Sequence, residues 1–459
     1  MHPAAPRLQA RRLALATATA LALATAQAQP VDLLAAWRQA TEHDATWQAA
    51  QATARAGQEV VALARAELRP NLSLSASRGH NEVKYPGSGA PKQHYFNGSQ
   101  SLSLRQPLYR PALTARLDQA HAEARDVAAR LDIERQDVMT RVTEAYFEVL
   151  LASDQLHMLQ AQLGYAQVQI DAARKGRAAG SGTRTDEDEA VAKRDLLQAQ
   201  VLAARQGLQG AQQTLQDLVQ QPVDAVMGIA QDARLSLPGA AGQPLAHWQD
   251  LAATSSHELL ALQAQYDAAR HEVTRARAAH RPTLDANLLW QRSDRDAVTS
   301  ATSRYHQGQV SIQFNVPLYA GGGINAAVRQ ALAQQDRAEH AMEAARRDLS
   351  ARVTREWRAV SEGQARIGAF EQAVRSALQL VHATQQSFQA GIRSNLDVLD
   401  AQDRLVTARI ELARARYLML VASLRLAVLA GTANEALLAD INRQLDQPLA
   451  LGLQVPARE

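Results

Sequence analysis

Apolar and polar residues follow two different periods along this chain. Over most of its length, apolar residues recur three, four and seven positions apart, which predicts amphipathic helices. Four short stretches instead alternate strictly between apolar and polar residues, which predicts β-strands with one apolar and one polar face. The helical pattern covers residues 31–69, 112–221 and 247–280, and it returns after the fourth strand to end near Gly431.

The strand patterns come in two pairs. In the first pair, residues 71–77 and 99–105 alternate leucine or alanine with serine, and residues 284–290 and 310–316 repeat the alternation in the second pair. Prolines stand where each strand is expected to meet a helix, because a missing N–H costs least at such a junction. The four junction prolines are Pro70, Pro107, Pro282 and Pro317.

Two long helices are predicted from sustained heptads, which are typical of coiled-coil packing. One track of apolar residues seven apart runs from Leu117 to Leu159, and another runs from Val353 to Phe388. About 60 residues at 1.5 Å each give a helix of roughly 90–100 Å.

Each long helix leads into a shorter one through a turn that contains glycine. Gly391 breaks the second long helix, because glycine tolerates the positive φ that ends a helix. Ser394 then caps the next helix, and Asp397 three residues on completes a variant of the capping box. Asp397 and Asp400 share one face of that helix's first turn. Gly180 occupies the matching turn in the first half of the chain.

These matches predict an internal duplication of about 211 residues, since three anchor pairs have offsets of 212, 210 and 211. The anchor pairs are Pro70/Pro282, Pro107/Pro317 and Asp186/Asp397. The predicted organisation is a signal peptide (1–28), a first repeat (29–221), an irregular linker (222–246), a second repeat (247–431) and a C-terminal tail (432–459). The signal peptide is inferred from an arginine-containing start, a short apolar run and an A-x-A cleavage motif, and it predicts export across an inner membrane.

The composition excludes several classes of site. The chain has no cysteine, so it has no disulfide, no thiolate metal site and no lipid anchor on cysteine. It contains no HExxH pair and no G-x-S-x-G motif, so we predict no metal, no cofactor and no enzymatic activity, and a secreted hydrolase has almost no support. No basic patch is interleaved with aromatic residues, so no nucleic-acid partner is predicted.

Four amphipathic strands without a covering element favour a transmembrane β-barrel in a mainly α-helical protein, with apolar side chains outward and polar side chains inward. Four strands cannot close, so several chains must share one barrel; two chains would give eight strands and three would give twelve. The strand pattern alone does not distinguish two chains from three. The alternative is a periplasmic coiled-coil adaptor or scaffold without a pore, which explains the heptads but not the strands.

The chain resembles the TolC family of outer membrane efflux and secretion channels. The resemblance rests on residues 144–150 (EAYFEVL), 315–322 (NVPLYAGG) and 391–401 (GIRSNLDVLDA), and it covers both halves. It implies a homotrimer in the lipid of the outer membrane, with a twelve-stranded barrel and four strands per protomer. It also implies a helical tunnel in the periplasm that is closed at rest. A periplasmic adaptor protein and an inner-membrane ABC or RND-type transporter would open the tunnel for multidrug efflux or type I secretion.

The resemblance further implies roles for residues at the two turns. Asp397 and Asp400 match two aspartates that ring the tunnel's constriction, where copies from several chains would attract cations. Capping of the helix is the alternative role of Asp397, and both roles can coexist.

A gating network is also implied by the resemblance. Arg393 matches an arginine that ties the inner coiled coil to its neighbours, and Asp186 matches its acidic partner. Thr185 matches a threonine whose usual partner is a tyrosine hydroxyl, but Phe388 occupies the tyrosine position here. This link of the closing network is therefore expected to be missing.

Overall fold

The structure, a computed structural model, describes residues 30–87, 91–180, 182–230, 235, 243–295 and 303–451. The predicted signal peptide, residues 1–28, lies outside the described residues, as does the end of the predicted tail. No helix in the described part of the chain combines the length and the apolar character needed to cross a membrane.

The described residues form nine helices and six strands. The helices are α1 (Leu33–His43), α2 (Ala45–Ala66), α3 (Pro111–Ala178), α4 (Arg184–Val219), α5 (Leu245–Ser255), α6 (His257–Ala278), α7 (Gly323–Gln389), α8 (Asn395–Leu429) and α9 (Glu435–Asn442). The strands are β1 (Asn71–Val83), β2 (Gln93–Tyr109), β3 (Ala225–Gly228), β4 (Thr283–Arg295), β5 (Ser303–Asn315) and β6 (Gln447–Ala450). The two predicted long helices, α3 and α7, have 68 and 67 residues.

The chain divides into two compact units, one of which contains residues 48–134 and 253–351. This unit holds a four-stranded antiparallel sheet in the order β1-β2-β4-β5. Asn71 pairs with Arg105 and Thr283 pairs with Asn315, so all four strand–helix junctions lie at one end of the sheet. We call this the helix end and the opposite end, where β1 turns into β2 and β4 into β5, the hairpin end.

The sheet has the predicted alternation of side chains. On one face, large apolar side chains of β1 and β5 are exposed, among them Leu74 and Val310. On the other face, three pairs of serine hydroxyls contact each other across β1 and β2. The strands are longer than the alternation predicted, and β2 continues through Pro107 to Tyr109. The register with β4 shifts between these two residues, which accommodates the missing N–H of the proline.

The second unit holds the larger apolar core, formed by α1, α3, α4, α8 and α9. Tyr146 is fully buried in it, and its hydroxyl accepts a hydrogen bond from the Met227 N–H at 2.9 Å. The same hydroxyl donates toward the carbonyl oxygens of Val31 (2.9 Å) and Met227 (2.8 Å). Tyr146 therefore holds the backbone at Val31 close to Met227 of β3.

Two parts of the chain differ from the prediction. The helical patterns at 31–69 and 247–280 each form two helices, broken at Asp44 and Ser256. Asp44 causes the first break, because its carboxylate accepts the Trp47 N–H at 2.8 Å and so caps α2.

The prediction of an irregular linker after residue 221 is wrong for Ala225–Gly228, which pairs with Gln447–Ala450 of the predicted tail. Such a pairing depends on distant residues, and neither four-residue strand shows a period of its own.

Candidate functional site

The turn between α7 and α8 has a defined hydrogen-bonding pattern. Gly391 has a φ of +72°, and its N–H donates to the Phe388 carbonyl at 2.9 Å. The N–H of Ile392 donates to the Ser387 carbonyl, also at 2.9 Å. These two bonds form a Schellman motif, which satisfies carbonyl groups at the end of α7 and requires a left-handed residue at position 391.

The predicted capping box at the start of α8 is confirmed. The Asp397 N–H donates to the Ser394 hydroxyl at 3.2 Å, and the Ser394 N–H donates to the Asp397 carboxylate at 2.9 Å. The Ser394 hydroxyl donates to the same carboxylate oxygen. These hydrogen bonds from the Ser394 backbone and side chain, followed by the nearby Arg393, hold the pKa of Asp397 below its usual value.

The other two residues predicted for this turn lie beside the capping box. Arg393 contacts the free oxygen of the Asp397 carboxylate, with Nη1 to Oδ1 at 3.3 Å. Among the described residues, Asp400 has no ion-pair partner and its side chain is exposed. Asp397 thus has both carboxylate oxygens occupied within its own chain, whereas Asp400 is open to an external cation.

The turn between α3 and α4 repeats this arrangement. Gly180 has a φ of +72°, and Thr183 and Asp186 form a second capping box with distances of 3.2 and 2.9 Å. Thr185 is exposed in the first turn of α4. Within one chain Asp186 therefore contacts Thr183 rather than Arg393, and a pairing of Asp186 with Arg393 stays a prediction about neighbouring chains.

The first hairpin, α3 with α4, carries an ion-pair cluster that the second hairpin, α7 with α8, lacks. Glu187 lies 2.8 Å from Arg174 and 2.9 Å from Arg177. The hydrogen bond from Arg174, with the charges of both arginines, holds the pKa of Glu187 below its usual value. At an offset of 211 the second hairpin has Gln385, Phe388 and Val398 at these three positions. Phe388 is half-buried and Val398 is buried, so apolar residues replace the ion pairs.

One charged cluster near the turns was missed by the sequence analysis. The carboxylate of Asp403 contacts both the Lys193 ammonium on α4 and the Gln162 amide on α3. Asp403 lies three residues after Asp400, so the spacing of aspartates along α8 was a signal for it. This cluster joins the second hairpin to both helices of the first.

The charged side chains of this region include carboxylates and arginines at the two turns. In the part of the chain that the structure describes, no cluster of three or more His, Asp or Glu side chains has the geometry to hold a metal ion. The two turns present carboxylates at capped helix starts, where the positive end of the helix dipole stabilises their negative charge.

Comparisons with known proteins agree with this picture. The model of the outer membrane efflux protein family matches residues 36–219 and again residues 248–432, which confirms the predicted duplication. The chain is 33% identical to the proteases secretion protein PrtF of Dickeya chrysanthemi over 89% of each chain. It is also 33% identical to the alkaline protease secretion protein AprF of Pseudomonas aeruginosa over 88% of this chain and 85% of that one.

A solved structure shows the same fold. The outer membrane protein VceC of Vibrio cholerae superposes with a TM-score of 0.73 at 20% identity, covering 87% of this chain and 96% of that one. The family match in both halves, the identity to two secretion proteins and the shared fold lead to one conclusion. The chain belongs to the outer membrane efflux protein family.

Proposed function

We propose that three copies of this chain form one channel that spans the outer membrane and carries polypeptides out of the cell. The observation that carries this proposal is the open sheet of the single chain. Its order is β1-β2-β4-β5, so β1 and β5 are edge strands, and their unpaired backbone groups are ready to pair with another copy.

The two faces of the sheet support a position in the membrane. Leu74 is 74% exposed and Val310 is 79% exposed in the single chain, which is costly in water but favourable against lipid. The opposite face carries the serine pairs and suits a water-filled interior. A closed barrel is the form in which such strands keep all their backbone groups paired in lipid.

Four strands per chain require several copies for a closed barrel, and the resemblance to the TolC family favours three copies over two. Three copies give twelve strands, within the range of known membrane barrels. The same three-fold arrangement brings together three copies of the turn at Gly391. Asp397 and Asp400 then form a ring at the constriction, and Arg393 contacts Asp186 of a neighbour.

The partners and cargo come from the relatives. PrtF and AprF are secretion proteins for proteases by their names, which favours a polypeptide cargo for this channel. An inner-membrane transporter, of the ABC or the RND type, and a periplasmic adaptor protein supply the cargo and open the turns. The channel itself is a passive pore that catalyses no reaction.

The proposal is tested on protein extracted from outer membranes with detergent. Native mass spectrometry should give three times the mass of the processed chain, and planar bilayers should show small cation-preferring currents. A folded protein that is found in the periplasmic fraction and gives no conductance would instead support the adaptor or scaffold without a pore. Export of a co-expressed substrate in cells with and without the chain then separates polypeptide secretion from drug efflux.

A further inference from the structure

The apolar face of the four-stranded sheet ends at a row of polar residues near the hairpin end. Ala76 pairs with Gln100, Gln100 with Arg292, and Arg292 with His306. Side chains two positions apart on a strand share a face, so this row continues the face that carries Leu74. The face therefore changes from apolar to polar at this row on β2, β4 and β5, and one row later, at Arg78, on β1.

The next row toward the hairpin end is strongly charged. It pairs Arg78 with Gly98, Gly98 with Asp294, and Asp294 with Arg304. Arg304 lies 3.2 Å from Asp294, and Arg292 of the previous row lies 3.7 Å from the same carboxylate. Arg292 and Arg304 thus share one carboxylate. With Arg78, the three arginines and the one aspartate leave a net charge of +2 on this part of the face.

These residues line a groove of about 520 Å³. Gly98 lies in the middle of the charged row and contributes no side chain, so the groove stays open between Arg78 and the arginines of β4 and β5. Arg78 is positioned over the Phe96 ring, with its Cζ 5.5 Å from the ring centroid. Arg304 is 75% exposed and Arg292 is 49% exposed, so most of their N–H groups are available to a ligand.

We propose that this groove binds the phosphate groups of an anionic lipid whose acyl chains lie on the apolar face below it. The inference rests on the proposed function, in which this sheet spans the outer membrane. It also assigns the hairpin end, opposite the strand–helix junctions, to the outer surface of that membrane. Guanidinium groups bind phosphate oxygens in a bidentate manner. The Asp294 carboxylate, shared by Arg292 and Arg304, cannot occupy all the N–H donors of both. A cationic groove directly beside an exposed apolar band matches an amphiphile with a phosphorylated headgroup. The groove alone would fit any phosphate, and the apolar band alone would fit any lipid.

The first test removes the charges. The full-length protein in a zwitterionic detergent is titrated with diphosphorylated lipid A, and bound lipid is counted by native mass spectrometry. We expect the variant R78Q/R292Q/R304Q to bind about tenfold more weakly, since three exposed charge contacts of a few tenths to 1 kcal/mol each are lost. The matched control R270Q/R329Q/R337Q changes the same number of exposed arginines on helices of the same unit and should bind like the wild type.

The second test fills the groove without changing its charge. Gly98→Leu places a side chain between the arginines and should also weaken lipid A binding. Gly323→Leu is the control, because Gly323 lies at the start of α7, at the helix end of the sheet, and has open space around it. The inference would be overturned if the Gly98→Leu variant and the triple arginine variant both bound lipid A with the same affinity as the wild type.

Two further outcomes also overturn it. Equal affinity for lipid A without its phosphates would show that only the apolar band binds, and displacement by millimolar inorganic phosphate would indicate a site for the soluble ion. Conductance and oligomeric mass are measured on the same samples. A conducting trimer that does not bind lipid A as expected would contradict only this inference. A protein that neither forms trimers nor conducts would contradict the proposed function.

Discussion

Asp397 and Asp400 differ in what their side chains are free to do. Both oxygens of the Asp397 carboxylate have partners in its own chain, one in the capping box and one at Arg393. Asp400 is exposed and has no ion-pair partner within the described residues. In the proposed ring, Asp397 therefore caps the start of α8, and Asp400 binds the cation.

We expect Asp400→Asn to relieve channel block by a trivalent cation such as hexamminecobalt, and Asp397→Asn to relieve it less. Three copies of an unpaired carboxylate contribute most of the local field, so the block constant should rise about tenfold or more for Asp400→Asn. Planar-bilayer recording measures the block. Glu189→Gln, at the matching position of the first repeat, is the control, and a larger effect of Asp397→Asn would contradict the assignment.

The capping box at Ser394 should weaken in acid. The pKa of Asp397 is held below its usual value by the hydrogen bonds from Ser394, so its contribution to stability is fully present above the usual carboxyl pKa and is lost as the pH falls through the lowered, folded-state pKa. Hydrogen exchange of amides around residue 394, compared at pH 7 and pH 3, tests this. Protection should fall in acid for the wild type and be low at both pH values for Asp397→Ala; equal protection in both proteins would rule out a stabilising cap.

At the scale of elements, the two hairpins use the same turn with different means of closure. The first is closed by Glu187 with two arginines, and the second has half-buried Phe388 where the first has Arg177. The resemblance leads one to expect a tyrosine at position 388, and the phenylalanine found there has no hydroxyl. Val398, which matches Glu187 of the first hairpin, is buried. Near the turns, the cluster at Asp403 joins the two hairpins to each other.

Lys193→Met should loosen the two hairpins and raise single-channel conductance. The substitution keeps the length of the side chain and removes the charge that contacts Asp403, at a cost of about 1 kcal/mol for a partly exposed pair. Asp403→Asn should have a similar effect, and the double variant should add little to either single one. Lys175→Met, an exposed residue of α3, is the control. Additive effects would show that the two side chains act independently.

Replacement of glycine by alanine should have opposite effects at two positions. Gly391→Ala introduces a Cβ at a φ of +72° and should destabilise the turn by about 1 kcal/mol. Gly210→Ala, inside α4 with open space around it, should stabilise by up to about 1 kcal/mol. Thermal unfolding followed by circular dichroism measures both. Destabilisation of the same size by both variants would indicate that the Schellman geometry is not what position 391 requires.

At the scale of the whole molecule, the open edges make a direct prediction about assembly. The chain has no cysteine, so introduced cysteines report on a single contact. We expect Ser311→Cys on β5 to cross-link to one of Ser73→Cys, Ser75→Cys or Ser77→Cys on β1 of another copy. Each double variant is oxidised in outer membranes and separated by mass.

The pattern of cross-linked species distinguishes the possible assemblies. A covalent ladder that stops at three chains supports three copies around one barrel. A ladder that stops at two chains would favour the eight-stranded alternative, and its absence for all three pairs would contradict pairing between β1 and β5. Single-cysteine variants, which have no partner at the same contact, are the controls.

The sequence by itself determined the features that depend on neighbouring residues. The period of side chains defined the strands and long helices, the positive φ of Gly180 and Gly391 defined the turns, and the serine or threonine three residues before an aspartate defined the caps. Each is set by backbone geometry within a few residues, and the duplication shows each of them twice. This is why the fold and the two turns were predictable.

The tertiary structure alone decided which distant groups meet. Lys193 and Asp403 are 210 residues apart, and the arginines of the groove come from β1, β4 and β5, which are aligned only by the register of the sheet. The pairing of β3 with β6 has the same origin. A period in sequence specifies which face a side chain occupies, but its partner is chosen by packing and register between elements, which no local pattern encodes.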